Sequence, residues 1–598
     1  MAALGLLVGG RAPAQVAAMP EPAAAIRAFH DVRTALVEGD PSGVSGVGES
    51  AVHIMLRLDG RVIARGSAVG EGALASATKA ARAEIDAALA RAASEADALR
   101  ARESLRLSVL SLELGGAEQS LDVATFADAD AKLPPGLVGV VVRRADRIEA
   151  AFPGTMLLSG KTPGDALAGC VAVVVGDASA PIRGTARGEA GALAEAHRLA
   201  YGWFPVLHLV QSRADEQPWF AYRGGRVVSM ADVSSAGLRT FERALAEHLQ
   251  ARVVRTPARL VGEAETCHFL GTYQPVTGRA DPEMASPTDQ ALAAMALCRY
   301  AAHEPDRLSA AGALGTARAV LISLTHNEGS VWDRTAASAA WVLAARALMD
   351  ADPTATIGDA DTLAKIDARL AASFTPERGW APDVPEHERG VIACALAARA
   401  LDADESARAQ ACVVAREAVR SLFRDTAPAR LVVHMPWLIL AESYLVGDGD
   451  WPSAPALREF RARVWDHQGA STDLADQADM AGGIVFPSSG NPYPTWFSIR
   501  PLAGMALMLG DDRLTDRDQT LREVSRLVAG LRFVRQLALD RDTAYIAVEP
   551  RRALFGVRLA LWDPRQSLEA SAMALWTVTE SRRGLERATS RMASPAAP

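Results

Sequence analysis

Apolar positions along this chain follow two different periods, and the change falls near residue 263. Before it the pattern is mixed. His53-Ile-Met-Leu-Arg-Leu58 alternates, Asp59-Gly60 is a hairpin signal, and Arg61-Val-Ile-Ala64 answers the first strand. Gly70 to Leu99 places Ala, Ile85 and Leu on one side and Arg, Glu and Asp on the other, which predicts a long amphipathic helix. Leu105 to Leu112 reads as a strand, Leu137 to Arg143 and Ile148 to Phe152 as a further pair, and Pro163 to Cys170 as the start of a helix. These elements predict an α+β domain with an antiparallel sheet. Residues 178–262 form a connector with strands at Pro205–Val210 and Ala221–Val228, a turn at Gly224-Gly225, and an amphipathic helix from Gly237 to Ala251. The connector either completes the first domain or forms a small docking module.

After residue 263 one helix type recurs six times: a polar entry followed by a run of small and apolar residues. The copies start near Asp289, Thr335, Glu388, His434, Thr495 and Ser567. Their spacing, roughly 45–70 residues, is that of a helical hairpin per repeat. Between them lie more polar helices at Asp306–Leu324, Asp361–Phe374, Ser406–Phe423, Ala456–Trp465 and Asp518–Leu539. A helix apolar nearly all round is enclosed by neighbours, whereas one with a single apolar stripe faces water. Alternation of the two predicts concentric rings. The expected fold is multidomain: an α+β N-terminal domain at 23–177, the connector at 178–262, and an all-α (α/α)6 toroid at 263–584. Residues 1–22 and 585–598 are expected to be tails.

Two resemblances follow from these residues. The strand-turn-strand with Arg65-Gly66-Ser67, the helix after it, Arg106-Leu-Ser-Val-Leu-Ser111, Leu133-Pro-Pro-Gly-Leu-Val-Gly-Val140 and the Phe152-Pro153-Gly154 loop before Gly164-Asp165 resemble the AMMECR family over about residues 25–176. That family carries Arg-Gly-Cys-Ile-Gly where this chain has Arg65-Gly-Ser-Ala-Val-Gly70, so any chemistry of that cysteine is expected to be lost here. The resemblance implies a fold and a redox or ligand-binding pocket. The C-terminal half is similar in architecture to six-hairpin glycosidases and polysaccharide lyases, and more distantly to terpene cyclases and prenyltransferases. Phe374-Thr-Pro-Glu-Arg-Gly-Trp380 is the one segment similar to the cyclases' Gly-Trp repeats.

Composition narrows the function classes. A formal charge of −8 with interspersed signs argues against nucleic acid as a partner, because that needs a clustered basic surface. The scattered cysteines, Cys170, Cys267, Cys298, Cys394 and Cys412, form no CxxC and read as structural thiols. No long uninterrupted apolar run marks an integral membrane protein. Met1–Gly10 and Arg11-Ala-Pro-Ala-Gln15 look like an apolar core and cleavage region without a basic lead, which leaves export and cytoplasmic residence equally open. No cofactor motif and no metal site is expected; Asp473-Leu-Ala-Asp-Gln-Ala-Asp479 does not match a calcium loop.

Chemistry is expected where the small-residue helices begin. Their N-termini gather at one mouth, where backbone N–H groups and helix dipoles favour anions. Asp333, Glu388, His434 and Glu569 are the candidate catalytic residues, since paired carboxylates can serve as acid and base on a glycosidic bond. Trp332, Arg334, Arg389, Trp380, Trp496 and Arg500 are the candidate ligand-binding residues, with aromatic faces suited to sugars. Asp289 reads as a helix cap after Ser286. The expected function is a hydrolase, lyase or epimerase acting on carbohydrate. The alternatives are a non-catalytic binding or scaffold protein and a terpene-cyclase-like toroid.

Overall fold

The computed structural model describes residues 19–39, 43–179, 190–257, 266–326, 334–447, 449–470, 475–486 and 492–593. The apolar start at residues 1–18, the candidates Trp332 and Asp333, and Asp473 of the acidic loop lie outside them. The chain forms two compact units, Met1–Arg226 and Val227–Pro598.

The first unit is built on an antiparallel sheet. Its strands are β1 (Ala51–Leu58), β2 (Arg61–Val69), β3 (Val109–Gly115), β4 (Gln119–Ser120), β5 (Val138–Arg144), β6 (Arg147–Ala151), β7 (Ala200–Val210) and β8 (Trp219–Phe220). They run in the order β2-β1-β3-β7-β5-β6, with β4 and β8 also paired to β7. The expected Asp59-Gly60 hairpin forms, and both residues take positive φ, 48° and 74°, as a tight two-residue turn between twisted strands requires. One face of β1 and β3 carries Val52, Ile54, Leu56, Leu110, Leu112 and Leu114, buried under helices α1 (Pro22–Glu38) and α2 (Ala73–Ala90). Helix α1 starts where Glu21 accepts from the N–H groups of Ala23 and Ala24, and it stops at Gly39, whose φ is 92°. Gly66 lets α2 lie against β2, because a Cβ there would fall 2.0 Å from the Ala77 carbonyl oxygen. The long helix expected over 70–99 is two, α2 and α3 (Glu95–Leu107), the second capped by Ser94. Helix α4 (Phe126–Lys132) lies between β4 and β5, and α5 (Pro153–Ser159) and α6 (Pro163–Val175) follow β6.

The expected connector is divided. Its strand β7 sits between β3 and β5, in the middle of the first unit's sheet. The expected strand at 221–228 is instead a tight turn in which Tyr222 and Gly225 bond each other's backbone. The amphipathic helix Ser235–Ala251 belongs to the second unit, where it packs on helix Leu568–Ala593. Glu242 accepts from Thr579 Oγ1 at 2.8 Å and pairs with Arg582.

The second unit is mainly helical. The six small-residue helices are Pro287–Ala301, Thr335–Ala351, Arg389–Asp402, Trp437–Val446, Ile499–Gly510 and Leu568–Ala593. Each packs on the next in chain order, and Leu568–Ala593 also packs on Pro287–Ala301. They are enclosed as their composition requires: residues 290–298 and 336–345 are buried without interruption. Amphipathic helices Arg307–His326, Ala360–Ser373, Glu405–Asp425 and Thr520–Leu537 pack respectively on Pro287–Ala301, Thr335–Ala351, Arg389–Asp402 and Ile499–Gly510. Helix Ala454–Asp466 packs on the short turn at Pro428–His434. The segment Arg307–Thr325 is long and apolar enough to cross a membrane. Here Ala313, Ala317, Val320, Leu321 and Leu324 bury its apolar stripe against neighbouring helices. The last helix continues to Ala593, beyond the expected end at 584, and Arg591 donates to the Leu509 carbonyl.

Candidate functional site

The starts of the small-residue helices hold two separate groups of the expected residues. The first brings together the starts of Pro287–Ala301, Ile499–Gly510 and Leu568–Ala593. Arg500 Nη2 lies 2.5 Å from Glu569 Oε1, with both side chains about a quarter exposed. Arg500 also stands over the rings of Trp496 and Phe497, 5.3 and 5.4 Å from their centroids. These two rings stack at 4.4 Å. Trp496 is buried, so the aromatic face open to a ligand is Phe497, at 45% exposure. The expected platform is thus displaced by one residue. The reason is local: Trp496–Ser498 is a 3-10 turn that points the first ring inward and the second outward.

Asp289 completes this corner. The cap itself is Ser286, whose Oγ accepts from the Asp289 N–H at 3.1 Å and donates to Asp289 Oδ2 at 2.8 Å. Capping is not the whole environment of Asp289. Burial, and after it the Glu569 carboxylate, push the Asp289 carboxyl up to about 6, against the pull of Ser286 and Arg500. A carboxyl raised by burial and a second carboxyl group therefore adjoin at one corner, an arrangement open to acid–base chemistry.

The second group lies at the starts of Arg389–Asp402 and Trp437–Val446. Glu388 ends a 3-10 turn directly before the helix and approaches His387 Nε2 at 3.9 Å. Arg389 stands 5.8 Å from the centroid of Trp380 and donates to the Val384 carbonyl. Trp380 packs on Phe374 across a two-stranded ribbon and donates from Nε1 to Ser421 Oγ at 2.9 Å. That tryptophan serves its own hairpin, and the Gly-Trp segment has a structural use. Arg430 pairs with Glu386 at 2.7 Å.

His434 is corrected by its surroundings. It is fully buried, its Nε2 lies 3.1 Å from Thr426 Oγ1, and its Nδ1 has no hydrogen-bond partner among the described residues. Burial first, then the Arg389 and Arg430 cations, push its imidazole down to about 4, against Glu386. It is a neutral core histidine closely packed on Gly390, where a Cβ would come 3.0 Å from its Cα. Arg334 is exposed at the start of Thr335–Ala351. Glu388 and Glu569 begin helices three places apart in the packing order.

Among the described residues no group of three His, Cys, Asp or Glu is placed to hold a metal ion. Burial pushes the Cys170 and Cys298 thiols up to about 12, which makes them poor nucleophiles.

No family model matches this chain, and no curated protein matches it. Among solved structures, an uncharacterised protein from Pyrococcus horikoshii aligns over 33% of this chain and 95% of its own, at 12% identity and a TM-score of 0.23. A likeness that slight supports neither a fold nor a function.

Proposed function

We propose that the second unit is an (α/α)6 toroid of the six-hairpin glycosidase type, and that the Asp289–Glu569–Arg500 corner acts on a carbohydrate. The observation that carries this reading is the pair of adjoining carboxyls with unlike environments. Asp289, held up to about 6, keeps part of its protons near neutrality and is suited to protonate a leaving glycosidic oxygen. Glu569, ion-paired with Arg500 at 2.5 Å, is placed to stabilise positive charge on the sugar or to activate water. Phe497 offers an exposed ring for the apolar face of a pyranose. The cyclic packing order of the six helices supports the toroid. The first unit we read as AMMECR-like on its element order alone.

The test is turnover on a panel of oligosaccharides and uronides. Asp289→Asn and Glu569→Gln are each expected to lower kcat about 100-fold or more, and Phe497→Ala to raise KM. Full activity in both acid variants would remove the catalytic reading. A second reading, carbohydrate binding without catalysis, is favoured by one contact: the Arg500 ion pair ties Glu569 down. Calorimetric binding that survives both acid substitutions, with no turnover in any form, would select it.

A further inference from the structure

The register of the N-terminal sheet sets four polar residues in one row. Ser67 on β2 is opposite His53 on β1, His53 is opposite Glu113 on β3, and Glu113 is opposite His208 on β7. Directly opposed residues share a face, with Cβ atoms about 4.5–5.5 Å apart. Three of the four are buried, Glu113 completely. Taking a carboxylate and two imidazoles out of water costs several kcal/mol unless they are paired. They are paired. His53 Nδ1 lies 2.9 Å from Glu113 Oε2, the Gly154 N–H donates to Glu113 Oε1 at 2.7 Å, and His208 Nε2 lies 2.7 Å from Ser111 Oγ.

The surroundings fix this geometry. A Cβ on residue 154 would fall 2.8 Å from Glu113 Oε2, so only glycine lets the start of α5 approach. Phe152 stacks on the His53 ring with centroids 5.2 Å apart. Burial opposes ionisation of Glu113, yet His208, His53 and the Gly154 N–H hold its carboxyl below the usual carboxylate range. A carboxylate at Nδ1 selects the imidazole tautomer whose Nε2 is the acceptor. Beside this row, His53, Met55, Val62 and Leu158 line a cavity of about 390 Å³ whose charged wall is the Arg65–Glu84 pair at 3.8 Å. Ser67 is exposed on β2, the edge strand.

We propose that Ser67, His53 and Glu113 form a nucleophile–base–carboxylate relay that hydrolyses small carboxylic esters held in this cavity. Ser67 Oγ attacks the ester carbonyl carbon while His53 Nε2 takes the hydroxyl proton. The bond to the alcohol oxygen then breaks, and the alcohol leaves with that proton. Water, deprotonated by the same imidazole, attacks the acyl-serine, which releases the carboxylic acid and returns the proton to Ser67. Glu113 is a positioning residue that holds the ring and offsets the imidazolium charge. Met55, Val62 and Leu158 suit the carbons of the acyl chain. This relay is independent of the carbohydrate reading of the second unit.

The full chain is treated with a fluorophosphonate probe, the labelled residue is located by peptide mass spectrometry, and turnover of p-nitrophenyl acetate and p-nitrophenyl hemisuccinate is followed. A label on Ser67 is expected, with hydrolysis lowered about 100-fold or more in Ser67→Ala and His53→Gln. Because His53→Gln disturbs a buried pair, Ser67→Cys supplies a second measure. Its alkylation by iodoacetamide should follow a pKa below the roughly 8.5 of a free thiol and return toward it when His53→Gln is added. Glu113→Gln should change the shape of the pH–labelling curve, not only its height. No label, a label elsewhere, hydrolysis unchanged in Ser67→Ala, or an ordinary thiol pKa in Ser67→Cys overturns the relay.

Discussion

The polar row in the sheet and the polar corner at the helix starts concentrate similar side chains by opposite means. In the sheet, strand register places His53, Glu113 and His208 directly opposite one another, and burial compels each to find a partner. At the corner, Asp289 and Glu569 stand in first helical turns, only partly exposed, where each already has a local partner in Ser286 or Arg500. The first arrangement is expensive and specific; the second is cheap and adaptable. Buried polar networks are therefore the stronger functional signal, because nothing in packing alone would select them.

The largest effect should come from the core of the second unit, on which the corner alone depends. Trp576 is buried against Trp437, ring centroids 4.8 Å apart, with Arg299 over its ring. Trp576→Ala is expected to cost about 3–5 kcal/mol in chemical denaturation and to leave fluorophosphonate labelling of Ser67 unchanged. Coupled loss of both would merge the two regions. Next comes Gly66→Ala, whose Cβ would meet the Ala77 carbonyl. A cost of about 2–3 kcal/mol is expected, seen as loss of Ser67 labelling with carbohydrate binding intact.

A stabilising change follows. Burial pushes the Glu442 carboxyl up to about 7, against the Ser453 hydroxyl that donates to it. The folded state holds that proton more tightly than the unfolded chain does. Its contribution is therefore full below about pH 4.5 and fades as pH rises from there to about 7. Glu442→Gln should add about 2 kcal/mol at pH 8 and little at pH 4, measured by thermal unfolding at both. The smallest effect belongs to the corner: Glu569→Gln should change stability by less than about 1 kcal/mol, since the Arg500 pair is partly exposed. A large loss there would place Glu569 in the scaffold and not in the chemistry.

The helical half was readable because its signal is compositional. Runs such as 335–345 are apolar on every side, and a helix of that kind has to be enclosed. The division at Arg226 was not readable, since strand β7 and helix Ser235–Ala251 look alike as appendages until their partners are known. At the corner, the sequence marked Glu569 and Arg500. Asp289 was set aside as a cap, whereas the cap is Ser286; Glu569, the neighbour of Asp289, lies some 280 positions away in the chain. The sheet row was missed altogether. His53, Ser111 and Glu113 sit at alternating positions that already hinted at a polar face, but only register tells which polar residue meets which. The serine of Arg65-Gly-Ser67 looked like a lost cysteine, yet it stands opposite an imidazole.

One contact of the second unit bears on how it comes into being. Glu242, in its first helix, is bound to Thr579 and Arg582, and Arg299 is bound to Glu580 at 2.5 Å. Beginning and end are fastened across roughly three hundred residues. A ribosome building this unit from its N-terminus holds five-sixths of it without the partner that covers its opening helices. Open helical arrays add repeats one at a time and survive trimming. This unit should do neither: removal of the last helix is expected to cost the whole body rather than one sixth of it, and its folding should wait until that helix has been made.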